Sequence, residues 1–222
     1  MNITIKNLKK SFILNNKEFL IFDNINLNIV KGDFISVTGF SGVGKSTFLH
    51  ILGTIDLPSS GIILFNNNNI FSKDINKIAS FRNKNIGFMF QFHYLLPEFS
   101  ALENVMLPML IARIEFSKAE NIAKKLLCNV GLSSRFYNKP NELSGGEQQR
   151  VSLSRAICRN PQILLADEPI ASLDEYNGHE VINIIKSLNK YHMLTVIMVT
   201  HNNLLANKAK KKLILTKNGF CL

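Results

Sequence analysis

Residues 39–47 read GFSGVGKST. The pattern is G-x-x-x-x-G-K-[ST]. It lies between a short apolar run, residues 34–38, and a stretch of helical character, residues 45–52. A phosphate-binding loop requires this strand–loop–helix setting. Its glycines let backbone N–H groups curl around a phosphate chain, and the following helix adds its positive N-terminal end. The motif therefore predicts an ATP cradle built from Gly39, Ser41, Gly42, Val43, Gly44, Lys45, Ser46 and Thr47. Lys45 reaches the β- and γ-phosphates, Ser46 places its hydroxyl on Mg²⁺, and Thr47 supports the phosphates. A chance match in a chain of this length is on the order of one in a hundred.

Outward from the loop, strand-length hydrophobic runs alternate with helical patterns, the signature of a parallel α/β sheet. Buried-type strands are expected at residues 62–65, 86–90, 163–166 and 194–200, with a helix over 175–189. Residues 2–5 and 19–29 read as opening strands of an antiparallel unit. Residues 101–130 read as mostly helical, with Ser117 to Glu120 forming a capping box that starts a helix. The expected fold is a P-loop α/β domain with a parallel core sheet, a small antiparallel β subdomain and an inserted helical subdomain. It spans residues 1–222, and residues 92–155 approximate the helical part.

In parallel sheets, ligands bind beyond the carboxyl ends of the strands. Gln91, Asp167, Glu168 and His201 all follow such runs. Asp167 is the expected Mg²⁺ partner, through water. Glu168 can orient and deprotonate a water. Gln91 can ligand the metal or its water, and His201 can hydrogen-bond the γ-phosphate or the attacking water. His50, His93, His179 and His192 read as surface or packing residues.

Residues 143–150, LSGGEQQR, raise a second possibility of anion binding. Ser144 and Glu147 form a capping box for a helix over 147–159. A cap does not need Gly145 and Gly146, which weaken a helix start and bare its N–H groups. Lacking a lysine and a metal ligand, this turn completes a phosphate site rather than forming one. Spacing alone leaves open whether the other half lies in this chain or in a second copy.

Composition sets the outer bounds. The formal net charge is +10, which suits nucleic acid, an anionic membrane leaflet, or a plain lysine and asparagine bias. The asparagine run 66–69 and the lysine run 210–212 fit that bias. Cys128, Cys158 and Cys221 form no CxxC pair, so neither a zinc knuckle nor a disulfide framework is indicated, and a reducing environment fits. The N-terminal MNITIKNLKK lacks a signal-peptide core, and no apolar stretch approaches the roughly 18 residues of a membrane span.

The P-loop, the strand-end glutamine, LSGGEQQR, ILLADEP, ASLD and VTH occur in that order. Together they resemble the ATP-binding subunits of ABC transporters over essentially the whole chain. The resemblance implies a homodimer of ATPase subunits, paired head to tail. In it Ser144, Gly145 and Gly146 of one copy close in trans over ATP held by the P-loop of the other. It implies that residues 172–174 link the two sites and that Phe12 stacks on adenine. Residues 91–105, QFHYLLPEFSALENV, are similar to the ATPase of the lipoprotein-releasing system. That narrower likeness implies two integral membrane permease subunits (LolC/LolE-like) and a lipoprotein substrate handled through them. It also implies a peripheral position on the cytoplasmic face of the inner membrane, and no nucleic-acid partner. MacB-type exporters and the FtsE-type cell-division ATPase have similar cores. The chain departs from the common pattern at Ile170 and Ala171, at Asn202 and at Gln148.

Overall fold

The computed structural model describes residues 1–221 except Ser172, and it leaves the Tyr176 side chain undescribed. The expected role of Ser172 in the linking loop therefore lies outside the described residues. The chain opens with β1 (Ile3–Leu14) and β2 (Lys17–Ile29), a long antiparallel pair. Next come β3 (Phe34–Thr38), α1 (Lys45–Leu52), β4 (Ser60–Phe65), β5 (Asn68–Asn69), α2 (Ile75–Asn85) and β6 (Ile86–Met89). The middle holds α3 (Ala101–Ile111), α4 (Phe116–Asn129) and α5 (Gly145–Ile157). The last stretch is β7 (Ile163–Asp167), α6 (Glu175–His192), β8 (Thr195–Val199), α7 (Asn203–Ala206), β9 (Lys211–Thr216) and β10 (Gly219–Cys221).

The central sheet runs β10-β9-β3-β8-β7-β6. Its neighbours from β9 to β6 are parallel, and only β10 turns back. Fully buried strands such as β7 and β8 need apolar side chains on both faces, which is why ILLAD and TVIMV carry almost nothing else. A second, antiparallel sheet of order β2-β1-β4-β5 shares its core with α1 through Phe22, Phe48, Leu49 and Phe65. The helices α3, α4 and α5 enclose a separate cluster around Leu102, Val105, Met106, Leu127 and Val151.

Several expectations are corrected. β1 runs on to Leu14, because after irregular pairing between Ile5 and Ser11 its backbone pairs residue by residue with β2, from Ser11 opposite Leu20 to Leu14 opposite Lys17. The expected box at Ser117 does not form: α4 starts at Phe116, Ser117 Oγ donates to Glu115, and Glu120 pairs with Lys124 at 2.7 Å. α5 starts at Gly145 rather than Glu147, since the box of Ser144 and Glu147 places both glycines inside the first turn. The asparagine run is also structural. Asn66 and Asn67 take φ of 47° and 64°, a left-handed turn that asparagine tolerates better than most residues. Lys211 lies on β9 and pairs with Asp33 at 2.8 Å. Among the described residues no helix is long and apolar enough to cross a membrane.

Candidate ATP site

The parallel order of β3, β8, β7 and β6 brings their carboxyl ends to one edge. Val37, Val199 and Asp167 lie in register on neighbouring strands, so the residues following them converge. From β3 the chain enters the loop, where Gly39, Gly42 and Gly44 all have positive φ, of 145°, 76° and 99°. Lys45 is buried and its Nζ donates to Gly39 O at 2.9 Å and Phe40 O at 3.0 Å. The loop is thus folded around the ammonium group. A Cβ on Gly42 would meet nothing within 4 Å, so this face of the loop is open to a ligand.

The loop borders a cleft of about 390 Å³. Ser41, Gly42, Gly44, Lys45, Ser46 and Thr47 line one side, and Gln91, Asp167, Glu168 and His201 the other. All the expected strand-end residues therefore reach one cavity. Glu168 sits at φ 46° and is 5% exposed. Thr200 Oγ1 donates to its Oε2 at 3.2 Å, and the backbone N–H of His201 donates to Oε1 at 2.9 Å. The imidazole Nδ1 of His201 stands 2.9 Å from the same oxygen, while the rest of that side chain is largely exposed. Burial pushes the Glu168 carboxyl above its ordinary range; the His201 charge and the two hydrogen bonds offset part of that rise. A carboxylate so tuned, at the edge of a phosphate cleft, is suited to accept a proton from water.

Among the described residues no three or more His, Cys, Asp or Glu side chains cluster to hold a metal by themselves. What the cleft offers is the Ser46 hydroxyl, the Gln91 amide and the Asp167 carboxylate. Hard oxygen donors in small number fit Mg²⁺, which keeps several waters and takes further ligands from phosphates.

The remaining expected residues lie elsewhere. Phe12 is on β1, opposite Phe19, 46% exposed, with Lys10 Nζ 4.5 Å from its ring centre. It does not line the cleft; Ile21 of β2 does. Ser144, Gly145 and Gly146 form the N-terminal turn of α5, also outside the cleft. Gly146 is not bare to solvent: a Cβ there would lie 2.6 Å from Asn177 Oδ1. Its lack of a side chain thus serves packing against α6, while Ser144 and Gly145 are exposed.

Two supporting residues were not singled out from the sequence. Thr200 holds the carboxylate of Glu168; its signal was a hydroxyl just before His201. Gln149 is buried on α5 and donates to Pro169 O at 2.6 Å. That bond ties α5, which opens on the LSGGEQQR signature, to the residue after Glu168. A glutamine on the buried side of a helix was its only signal.

The ABC transporter family matches residues 22–171. Curated relatives include the lipoprotein-releasing system ATP-binding proteins LolD of Syntrophus aciditrophicus, 47% identical over 95% of this chain and 95% of its own, and of Myxococcus xanthus, 45% identical over 95% and 94%. Among solved structures, a dimeric ATP-binding cassette in a post-hydrolysis state bound to ADP and Pi superposes with a TM-score of 0.91. It is 36% identical and covers 98% of this chain and 96% of its own. With the parallel sheet, the glycine-rich cradle and the buried glutamate already in place, the chain belongs to the ABC transporter family, as an ATP-binding and ATP-hydrolysing subunit akin to those of lipoprotein-releasing systems.

Proposed function

We propose that this chain powers the release of lipoproteins from the inner membrane, hydrolysing ATP on its cytoplasmic face beside two integral membrane permease subunits of the LolC/LolE kind. The hydrolytic part rests on one observation: Glu168 is fixed by Thr200 and His201 at the edge of the cleft that the P-loop lines. The lipoprotein part rests on the likeness to the LolD proteins over nearly the whole chain.

In this reading Lys45 exchanges its two carbonyl partners in the loop for the β- and γ-phosphates. Backbone N–H groups of residues 39–47 hold the phosphate chain, and Phe12 stacks on adenine. Ser46, Gln91 and Asp167 would hold Mg²⁺, which when bound neutralises phosphate charge. Glu168 takes a proton from the attacking water, and His201 orients the water or the γ-phosphate. Ser144, Gly145 and Gly146 of a second copy, in a head-to-tail homodimer, complete the phosphate site in trans. Residues 172–174 link the two sites. Residues 92–155 act as the helical signature subdomain.

The surface that meets the permeases is the segment after Gln91. Phe92 is 68% exposed and Tyr94 63%, yet the backbone from His93 to Leu96 is held. Arg155 donates to His93 O at 2.6 Å and to Tyr94 O at 2.7 Å, and buried Asn104 bonds both N–H and O of Leu96. Exposed aromatics on a fixed backbone suit a docking surface. The test is reconstitution with the co-purified membrane subunits in proteoliposomes carrying a lipoprotein. ATP-dependent release is expected, and Glu168→Gln should bind ATP without release. Release at the normal rate by that variant, or co-purification with unrelated membrane proteins only, overturns the assignment.

A further inference from the structure

The geometry points to Phe40 as an anchor between two copies of this chain, seated in an apolar groove of the second copy. The inference rests on the head-to-tail dimer proposed above and adds a contact to it. Phe40 is the second residue of the P-loop. Its carbonyl is tied inward to Lys45 Nζ at 3.0 Å, while the residue is 88% exposed. Phosphate binding makes no use of a phenyl ring there, because the cradle is made of backbone N–H groups. A single exposed phenylalanine is unremarkable by itself. Its position becomes informative through two other features.

The first is a groove of about 530 Å³ beside the phosphate cleft. Ile170, Leu173, Leu204 and Leu205 give it an apolar lining, and Glu168 and His201 stand where it adjoins the cleft. Leu204 is 76% exposed. The second is a direct link between this groove and the signature turn. Gly146 packs on Asn177 so closely that no Cβ fits between them. The Asn177 N–H and side-chain amide both donate to Asp174, at 3.0 and 2.6 Å, and Arg150 donates to Asn177 Oδ1 at 3.0 Å. Asp174 lines the groove. Asn177 thus joins the signature turn to the Asp174 side of the groove.

A signature turn that reaches the phosphates of another copy carries its own groove to the rim of that copy's P-loop. Phe40 stands at that rim. Two-fold symmetry makes the contact twice, and each burial removes a phenyl ring from water. The groove adjoining Glu168 would thus be filled by a side chain of the second copy when the dimer closes.

Cross-linking tests the contact. One chain carries Phe40→Cys and the other Leu204→Cys, both with Glu168→Gln, Cys128→Ser, Cys158→Ala and Cys221→Ser. A short bis-maleimide should join them only when ATP is present. Ile75→Cys, on the exposed face of α2, replaces Phe40→Cys in the control and should not be joined to Leu204→Cys. Sedimentation velocity of the uncross-linked Glu168→Gln protein shows whether a dimer forms at all. Monomer with ATP overturns both the dimer and the anchor; dimer without the Phe40–Leu204 cross-link overturns the anchor alone. As a second measurement, Phe40→Ser and Leu204→Ser should each weaken ATP-driven dimerisation at least about tenfold, and Phe40→Leu should restore most of it. Unchanged dimerisation in Phe40→Ser removes the proposal.

Discussion

Gly42 and Gly44 are two residues apart in one loop, both with positive φ, yet alanine should affect them very differently. At Gly44, φ is 99° and a Cβ would lie 2.3 Å from Ile21 Cγ2 and 3.1 Å from Phe22 Cδ1. Phe22 is fully buried in the core that β1, β2 and α1 share, so it has nowhere to retreat. Gly44→Ala therefore costs about 1–2 kcal/mol for the left-handed backbone and about 1–3 kcal/mol more for overpacking. At Gly42, φ is 76° and the Cβ meets nothing within 4 Å, so only the backbone cost of about 1–2 kcal/mol applies. In a chain of this size 1 kcal/mol moves Tm by about 2–4 °C. Differential scanning calorimetry should find Gly44→Ala lower in Tm than Gly42→Ala by about 2–12 °C. A fluorescent ATP analogue should show the complement: Gly42→Ala, whose methyl enters the open cleft, loses nucleotide affinity out of proportion to its stability loss. If Gly44→Ala is no less stable than Gly42→Ala, Ile21 and Phe22 do not enforce the loop's last glycine.

Three further outcomes are expected. The raised carboxyl of Glu168 sets two opposite pH trends. Its contribution to stability falls as pH rises from the ordinary carboxyl range through the raised folded value, whereas turnover, with Glu168 as the base proposed above, falls as pH drops through that value. His201→Ala removes a charge that lowers this pKa, so the acidic limb of a kcat–pH profile should shift to higher pH; a shift to lower pH contradicts the assignment. Gln149→Ala strands the Pro169 carbonyl and should destabilise by about 1–3 kcal/mol in urea titration, with kcat falling more than ATP affinity; wild-type stability and kcat would show the bond to be idle. Arg155→Ala removes both bonds to His93 O and Tyr94 O, each worth about 1.5–3 kcal/mol. Limited proteolysis between residues 92 and 99 should accelerate while ATP binding holds, and an unchanged cleavage rate argues that Asn104 alone fixes the segment.

The parts legible in the sequence were those where local pattern and burial agree. β3 and α1 match the predicted residues because an apolar run, a glycine-rich loop and a helix start follow one another without competing signals. β7 and β8 were readable because strands covered on both faces are apolar throughout. α2 was not, since none of its residues is buried and its face carries no stripe; Asp74, whose side chain accepts from Lys77 N–H, was its one local mark. The lysines opening β9 hid a strand behind a charge run. At the site, the strand-end rule found Gln91, Asp167, Glu168 and His201 because parallel order delivers such residues to one edge. It could not find Asn177 beneath Gly146 or Gln149 beneath Pro169. Those contacts join helix to helix and helix to loop across the fold, and no sequence period encodes them.

In the proposed dimer each phosphate site is shared between two copies, with Lys45 of one facing Ser144 of the other. Sedimentation velocity of Glu168→Gln with and without a second change, Ser144→Arg, tests this sharing. Ser144 is exposed at the start of α5, so the arginine leaves the core intact. With ATP, Glu168→Gln should run as a dimer, and the double variant should bind ATP but stay monomeric. A double variant that dimerises as readily as Glu168→Gln would contradict it and leave the signature turn as a helix cap.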